Sequence, residues 1–260
     1  MRIDILSIFP GYFEMPINEG ILKIAREKGL LEINTVNVRD FTEDKHRQVD
    51  DYPYGGGPGM VMKPDPVFKA VESVLGERTG SWRKRARTVL LTPRGKQFDQ
   101  SMAAEFAGEK RLVLICGHYE GIDERVHQKV SDEVSIGDYV LSGGEPAALV
   151  FVDAIVRLLK GVLGSAESLA EESFIQGLLE YPQYTRPALY EGMKVPDILL
   201  SGDHAKIASW KRMESIKQTY KMRPDILEKA DLSQEEKDLV NALKEQKDKG
   251  EGKDEQDSVV

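Results

Sequence analysis

Apolar residues cluster in short runs over the first two thirds of the chain: Ile3 to Phe9, Ile33 to Val38, Thr88 to Leu91, Leu112 to Cys116 and Val134 to Ile136. Runs of this length with little internal alternation suit strands buried on both faces. Helical patterns fall between them. Ile17, Ile21, Ile24 and Ala25 sit at helical spacing ahead of Gly29, a plausible stop, and Pro66 to Leu75 reads as a second helix. Pro146 opens a segment over 147–159 that is apolar on nearly every side, interrupted by Arg157. Strand and helix in alternation predict an α/β fold, with a mostly parallel sheet covered on both faces.

At Gly164 the composition shifts, and Ser165 to Ser173 is polar and serine-rich. The predicted organisation is a domain over 1–164, a mobile linker over 165–174, a small mainly helical domain over 175–243 and an unstructured acidic tail over 244–260. Within the second domain His204 to Met222 lacks glycine and proline and puts Ile207, Trp210, Met213 and Ile216 on one stripe. Arg223-Pro224 ends it. Ser233 with Glu236 three residues on is a capping-box signature for a last helix.

Composition excludes several classes. With 260 residues and 40% hydrophobic content the chain can bury a full core. No apolar stretch approaches the roughly 20 residues that span a bilayer. The start, Met1 to Pro10, carries an acid in its apolar run and reads as a first strand rather than a signal peptide, which predicts a cytoplasmic protein. The single cysteine, Cys116, excludes an internal disulfide, and its place at the end of an apolar run predicts a buried, unreactive thiol. The four histidines, His46, His118, His127 and His204, lack metal-ligand spacing. No dinucleotide fingerprint, phosphate-binding P-loop, zinc-protease motif or nucleophile elbow occurs.

A net charge of −8 argues against a nucleic-acid partner, but the charge is unevenly spread. Between Asp203 and Arg223 six basic residues, Lys206, Lys211, Arg212, Lys217, Lys221 and Arg223, face two acidic ones. A second basic cluster, Arg83, Lys84, Arg85 and Arg87, precedes the third strand. Such patches suit phosphate contacts, although a solvated helix face has the same composition.

Candidate chemistry lies in glycine-bearing loops. Cys116 to Arg125 and Ser135 to Pro146 each follow a predicted strand and carry acidic and tyrosine side chains, as a ligand cradle would; tight turns are the plainer alternative. A third loop, His46 to Met60, includes four glycines between Gly55 and Gly59 and can press its backbone against a base or a phosphate.

These loops, together with Gly161 to Gly164, Tyr184 to Pro187, Gly192 to Pro196 and Leu199 to Gly202, in this order, resemble the bacterial tRNA (guanine-N1)-methyltransferases, the TrmD family of the SPOUT class. The resemblance runs from Met1 to about Leu243. It implies a parallel-sheet domain with a deep trefoil knot, a homodimer with its active site between subunits, and S-adenosylmethionine as donor for methylation of N1 of guanine 37 in tRNA when another guanine precedes it. It also implies a magnesium requirement, for which no ligand cluster is legible.

Carried over residue by residue, the donor-binding loops fall at Leu90, Leu91, Thr92 and Pro93, at Gly117, Tyr119 and Glu120, and at Ile136, Gly137, Asp138, Tyr139, Val140, Leu141, Gly143 and Gly144. Contacts to tRNA fall to His46, Arg47, Asp50, Gly57 and Gly59, with Lys206, Lys211, Arg212 and Lys217 on the basic helix. The family's Asp-Ser-Phe triplet stands here as Glu172-Ser173-Phe174. Guanine N1 is a poor nucleophile until its proton leaves, so a carboxylate base is wanted there, and Glu172 takes the role. Charge growing on O6 calls for a cation, assigned to Arg157; a salt bridge to Asp153 would also explain that arginine. A noncatalytic RNA-binding protein of the same fold, or a SPOUT enzyme acting on a ribose hydroxyl, remains open at this level.

Overall fold

The structure, a computed structural model, describes residues 1–76, 82, 85–163, 172–175 and 177–254, with side chains as far as Gln246. It divides into two compact units, Met1–Gly164 and Ser165–Val260.

The first unit runs β1 (Arg2–Ser7), α1 (Gly20–Glu27), β2 (Glu32–Asn37), β3 (Asp50–Asp51), β4 (Val61–Met62), α2 (Pro64–Leu75), β5 (Arg87–Gln97), α3 (Gln100–Ala107), β6 (Arg111–Cys116), α4 (Glu124–His127), β7 (Asp132–Ser135) and α5 (Glu145–Val156). Five strands form one sheet in the order β2-β1-β6-β5-β7, every pair parallel. All five correspond to runs predicted from the sequence.

Alternate residues of these strands feed two cores, one on each face. Ile3, Ile5, Leu112, Leu114 and Cys116 pack with α1, α3 and α5. Leu6, Val113, Ile115 and Leu90 pack with α2 and α4 on the other face. Burial on both sides is why the strands read as continuous apolar runs. On α5, Phe151 meets Phe98 and Phe106 at centroid separations of 4.8 and 4.9 Å.

Helix limits differ from expectation in instructive ways. Ile17 belongs to a short 3-10 turn, Pro16–Asn18, and α1 begins only at Gly20. Its buried residues are Leu22 and Ala25, while Ile24 is exposed. Helix α5 stops at Val156, so Arg157 is its C-terminal cap and is half-buried, not an interruption within it. A cation at that end is favoured by the helix dipole. The sequence pattern did not reveal α3, whose Asp99 accepts a hydrogen bond from the Met102 amide at 2.8 Å as its N-cap.

The second unit holds β8 (Leu189–Tyr190) paired with β9 (Met193–Lys194), then α6 (Asp197–Leu200), α7 (His204–Met222), α8 (Pro224–Leu227) and α9 (Gln234–Asp254). Leu178, Ile216, Leu227, Leu232 and Val240 form its core. The stripe expected on α7 is displaced, since Met213 is exposed and Ser215, Ile216 and Thr219 are the buried positions. Thr219 Oγ1 accepts from the Leu179 amide at 2.8 Å, which draws the inward face toward that residue. The Ser233–Glu236 capping box forms as predicted, with Ser233 N donating to Glu236 at 2.8 Å and Glu236 N to Ser233 Oγ at 3.3 Å. The tail expected to lack structure from Lys244 is helical as far as Asp254, because its lysines, glutamates and glutamine are good helix formers that prolong an anchored helix. Most of the predicted linker, 165–171, lies outside the described residues, as do 255–260.

Among the described residues, one charged side chain is buried within the sheet. Asp4 on β1 is fully buried and accepts hydrogen bonds from Arg2, Arg111 and Asn34 at 2.9–3.2 Å. It thereby ties β1 to both neighbours, β2 and β6. Replacing Asp4 with alanine strands two partly exposed guanidinium groups and is expected to cost about 2–4 kcal/mol. The cost should appear as a lowered urea midpoint at unchanged slope; a midpoint within error of the parent would assign the strand register to the apolar residues alone.

Candidate active site

The carboxyl ends of β5, β6 and β7 surround a cleft of ≈ 350 Å³, the place where open parallel sheets bind ligands. Three loops line it. Leu90, Leu91, Thr92 and Pro93 come from β5, Gly117, Tyr119 and Glu120 follow β6, and Ile136, Gly137, Tyr139, Val140, Leu141, Gly143 and Gly144 follow β7. Of the residues assigned to this cleft from the sequence, Asp138 is exposed and does not line it.

The loops hold their shape through backbone contacts that admit no side chain. Pairing of β5 with β7 breaks between Leu91 and Lys96, so residues 92–95 leave the ladder as an outward excursion. A Cβ on Gly95 would lie 2.3 Å from the Val134 nitrogen. Gly144 donates to the Gly117 carbonyl at 2.8 Å, and a Cβ there would lie 2.8 Å from Cys116 Cα. Where these loops meet, the wall is peptide backbone without intervening side chains, which suits a flat heterocycle and its hydrogen-bonding edge.

Four charged or imidazole-bearing lining residues were not assigned to the donor site from the sequence, although His118 and Glu124 lie in the Cys116–Arg125 loop: Arg94, His118, Glu124 and His127. Their signal was present only as charged residues next to Pro93 and Gly95 or within the second loop. Arg94 donates to Glu124 at 2.8 and 3.0 Å and to Glu133 at 2.9 Å, clamping the excursion to α4 and β7. His127 Nδ1 is buried, 3.1 Å from Glu133 Oε1 but outside hydrogen-bonding geometry. Cys116 is fully buried, and burial, then the neighbouring Glu145, push its thiol well above the ordinary value. It is not a nucleophile.

The loop between β3 and β4 adjoins the cleft. Met62 N donates to the Gly121 carbonyl at 2.9 Å and Glu120 N to the Met60 carbonyl at 3.1 Å. Beyond these anchors Tyr52, Tyr54, Gly57 and Gly59 are exposed, and Asp50 is half-buried. Arg47 adopts a positive φ of 54° and pairs with Asp40 at 3.3 Å; the His46 amide donates to Asp44.

In the second unit Glu172, Tyr181, Lys211 and Arg212 border a smaller cavity of ≈ 170 Å³. Lys211 Nζ stands 4.5 Å from the centroid of the Tyr181 ring. Arg212 donates to Glu236 at 2.6 Å, Lys217 to Glu214 at 2.7 Å, and Lys206 pairs with Asp203 at 3.0 Å. No group of three or more histidine, cysteine, aspartate or glutamate residues able to hold a metal ion occurs among the described residues. No described helix is long and apolar enough to cross a membrane.

A sequence profile described as tRNA (Guanine-1)-methyltransferase TrmD matches residues 1–229. Among curated relatives, a tRNA (guanine-N(1)-)-methyltransferase of Dictyoglomus turgidum is 56% identical over 246 residues, covering 95% of this chain and 98% of the relative. Proteins of the same description from Sulfurihydrogenibium sp. and Geobacillus kaustophilus are each 53% identical, over 95% of this chain and 96% and 100% of their own lengths.

The Arg94 clamp makes a prediction of its own. Its hydrogen bond, with the charge behind it, holds Glu124 below the ordinary glutamate value. Burial pushes Glu133 up, but the Arg94 hydrogen bonds and the adjacent His127 outweigh it and leave that carboxyl lowered too. Lowered values mean that the clamp is intact above the ordinary glutamate range, near 4.5, and is lost only as pH falls through the lowered ones. Arg94→Met should therefore speed amide exchange across 120–136 at pH 7, whereas the parent at pH 5, corrected for intrinsic exchange, should match the parent at pH 7. Equal protection in variant and parent would remove the clamp's role.

Proposed function

The chain belongs to the TrmD family of tRNA (guanine-N1)-methyltransferases, and from that membership we propose which guanine it modifies and which residues do the work. The activity is methylation of N1 of a guanine in tRNA, and S-adenosylmethionine is the methyl donor the family implies. Position 37, with a guanine before it, is the proposed target. The observation that carries the site assignment is the cleft at the carboxyl ends of β5, β6 and β7, lined by three loops. The donor binds there, with its adenine against the peptide edges of the β6 and β7 loops. Crossing of these loops through one another as a deep trefoil knot is part of the proposal, as are a homodimer with its active site at the subunit interface and a cytoplasmic location.

Glu172 is the proposed base. Its carboxylate removes the N1 proton as the methyl group arrives, since the protonated nitrogen has no free electron pair to offer. Arg157 stabilises the negative charge that grows on O6. Arg157 caps the C-terminal end of α5 as a half-buried residue. His46, Arg47, Asp50, Gly57 and Gly59 contact the anticodon region, and the second unit supplies phosphate contacts through α7. Magnesium is expected by resemblance alone, and no step is routed through it. Transfer of labelled methyl to guanine-bearing tRNA, followed by nucleoside analysis, tests the activity: label in 1-methylguanosine at position 37 supports it, and label on a ribose would overturn it.

Glu172→Gln keeps the side chain's shape but cannot take the proton, so single-turnover methylation should slow by roughly 10²–10⁴. Glu172→Asp should retain substantial activity. A near-normal rate for the glutamine variant under single-turnover conditions would exclude this carboxylate as the base.

On α7 the lysines and the arginine separate. Arg212 braces α7 against α9 through Glu236, so Arg212→Ala should lower stability as well as affinity. Lys206, Lys211 and Lys217, replaced together by alanine, should weaken tRNA binding and reduce the slope of log affinity against log salt by about 1–3, with donor affinity unchanged. An unchanged slope would return these lysines to ordinary solvated roles.

A further inference from the structure

We propose that Glu145, with His118, forms a negatively charged floor behind the donor cleft that favours the sulfonium of S-adenosylmethionine over the neutral thioether of its product. This rests on the reading of the cleft as the donor site.

Glu145 opens α5 and is 3% exposed. Its carboxylate accepts a hydrogen bond from Ser7 Oγ at 2.6 Å. Its other oxygen lies 3.9 Å from His118 Nδ1. That nitrogen is buried and has no hydrogen-bond partner. No lysine or arginine among the described residues pairs with Glu145. A buried carboxylate left without a cation is costly, and such a site persists where the charge is used. The Ser7 hydroxyl donates to this carboxylate, and the positive N-terminal end of α5 lies beside it.

The pair stands directly behind the cleft wall. Gly143 lines the cleft, and a Cβ on it would lie 2.4 Å from both Glu145 Oε2 and His118 Nδ1. Only glycine backbone therefore separates the carboxylate from the ligand space. His118 itself lines the cleft, edge-on to the rings of Phe9 and Tyr119 at 5.1 Å.

The chemistry of the reaction gives this charge a use. Methyl transfer moves a carbon from sulfur to N1, the sulfur keeps the bonding electron pair, and the sulfonium becomes a neutral thioether. Donor and product are otherwise alike, carrying the same ammonium, carboxylate, ribose and adenine. They differ at the sulfur by one charge and one methyl group, so the change in their affinity ratio when a nearby charge is removed reads the potential at the sulfur. A fixed negative charge in a low-dielectric wall raises affinity for the donor and lets the product go.

Other charged groups face this region. Glu120 lines the cleft, Arg94 is neutralised by Glu124 and Glu133 on its far wall beside His127, and Arg39 reaches the Tyr119 hydroxyl at 3.4 Å.

Calorimetric titration of S-adenosylmethionine and S-adenosylhomocysteine tests this. At pH 8, Glu145→Gln should weaken the donor about tenfold more than the product. Equal weakening of both ligands would mean a merely structural role and overturn the proposal, as would no change in either. Should that variant not fold, His118→Lys, which brings a fixed cation beside the carboxylate, carries the test: the preference for the donor over the product should fall, and an unchanged preference would overturn the proposal. Failure of the parent to bind either ligand would instead sink the donor reading, and this proposal with it.

Discussion

The contact of the Gly143–Gly144 backbone with Cys116 and Gly117 is the constraint from which the site follows. The Gly144 amide donates to the Gly117 carbonyl at 2.8 Å, and His118 and Gly143 form an isolated antiparallel bridge. With no side chain between them, the loop after β7 lies flat against the end of β6. The next residues must start α5 there: Ala148 N donates to the Gly144 carbonyl at 2.8 Å, and Glu145 is carried into the interior. The cleft then opens in front of this seam and the buried carboxylate lies behind it. Any β-carbon at Gly144 would separate the two loops, and the rigid core beneath could not follow by small adjustments.

The core makes that seam stiff. Phe151 of α5 packs on Phe98 and Phe106, while Val113 and Ile115 on the opposite face bind the sheet to α2 and α4. Both walls of the cleft therefore hang from strands buried on two faces, and their peptide groups are pre-positioned rather than organised by ligand. Preorganised dipoles stabilise charge without the cost of reorienting at the moment of reaction. The loop between β3 and β4 differs. It is anchored to the cleft only at Met60 and Met62, and beyond those anchors it offers exposed tyrosines and glycines with few contacts of their own, as a surface that adapts to a large partner requires.

Much of this was legible in the chain. The five central strands announced themselves because burial on both faces makes each an unbroken apolar run, and α7 was bounded by Asp203 and Arg223-Pro224. The loops of the cleft were marked by Gly117, Gly143 and Gly144. What escaped depends on partners distant in sequence. Arg94 becomes part of the wall only because Glu124 and Glu133 come to meet it, and no local pattern records that meeting. Helix α3 has a low apolar periodicity, so its Asp99 cap was its clearest mark. The face of α7 was misjudged at Met213 because the Thr219 side chain turns inward to satisfy backbone groups, accepting from the Leu179 amide and donating to the Ser215 carbonyl, rather than to bury apolar area. The order of the strands, β2-β1-β6-β5-β7, lies beyond what periodicity encodes.

Charge is distributed so that a net acidic chain can still meet a polyanion selectively. Lys206 and Lys217 on α7 are held by Asp203 and Glu214 on the same helix. A phosphate that engages such a lysine must displace a carboxylate at short range, so part of the attraction is spent on that exchange. Random polyanions that touch only one or two positions gain little, and the −8 of the whole chain repels them at longer range. On the proposed reading, an RNA whose shape presents several phosphates at once recovers that cost at each of them. Selectivity then comes from the geometry of many weak exchanges, and the chemistry of the cleft need not distinguish one guanine from another unaided.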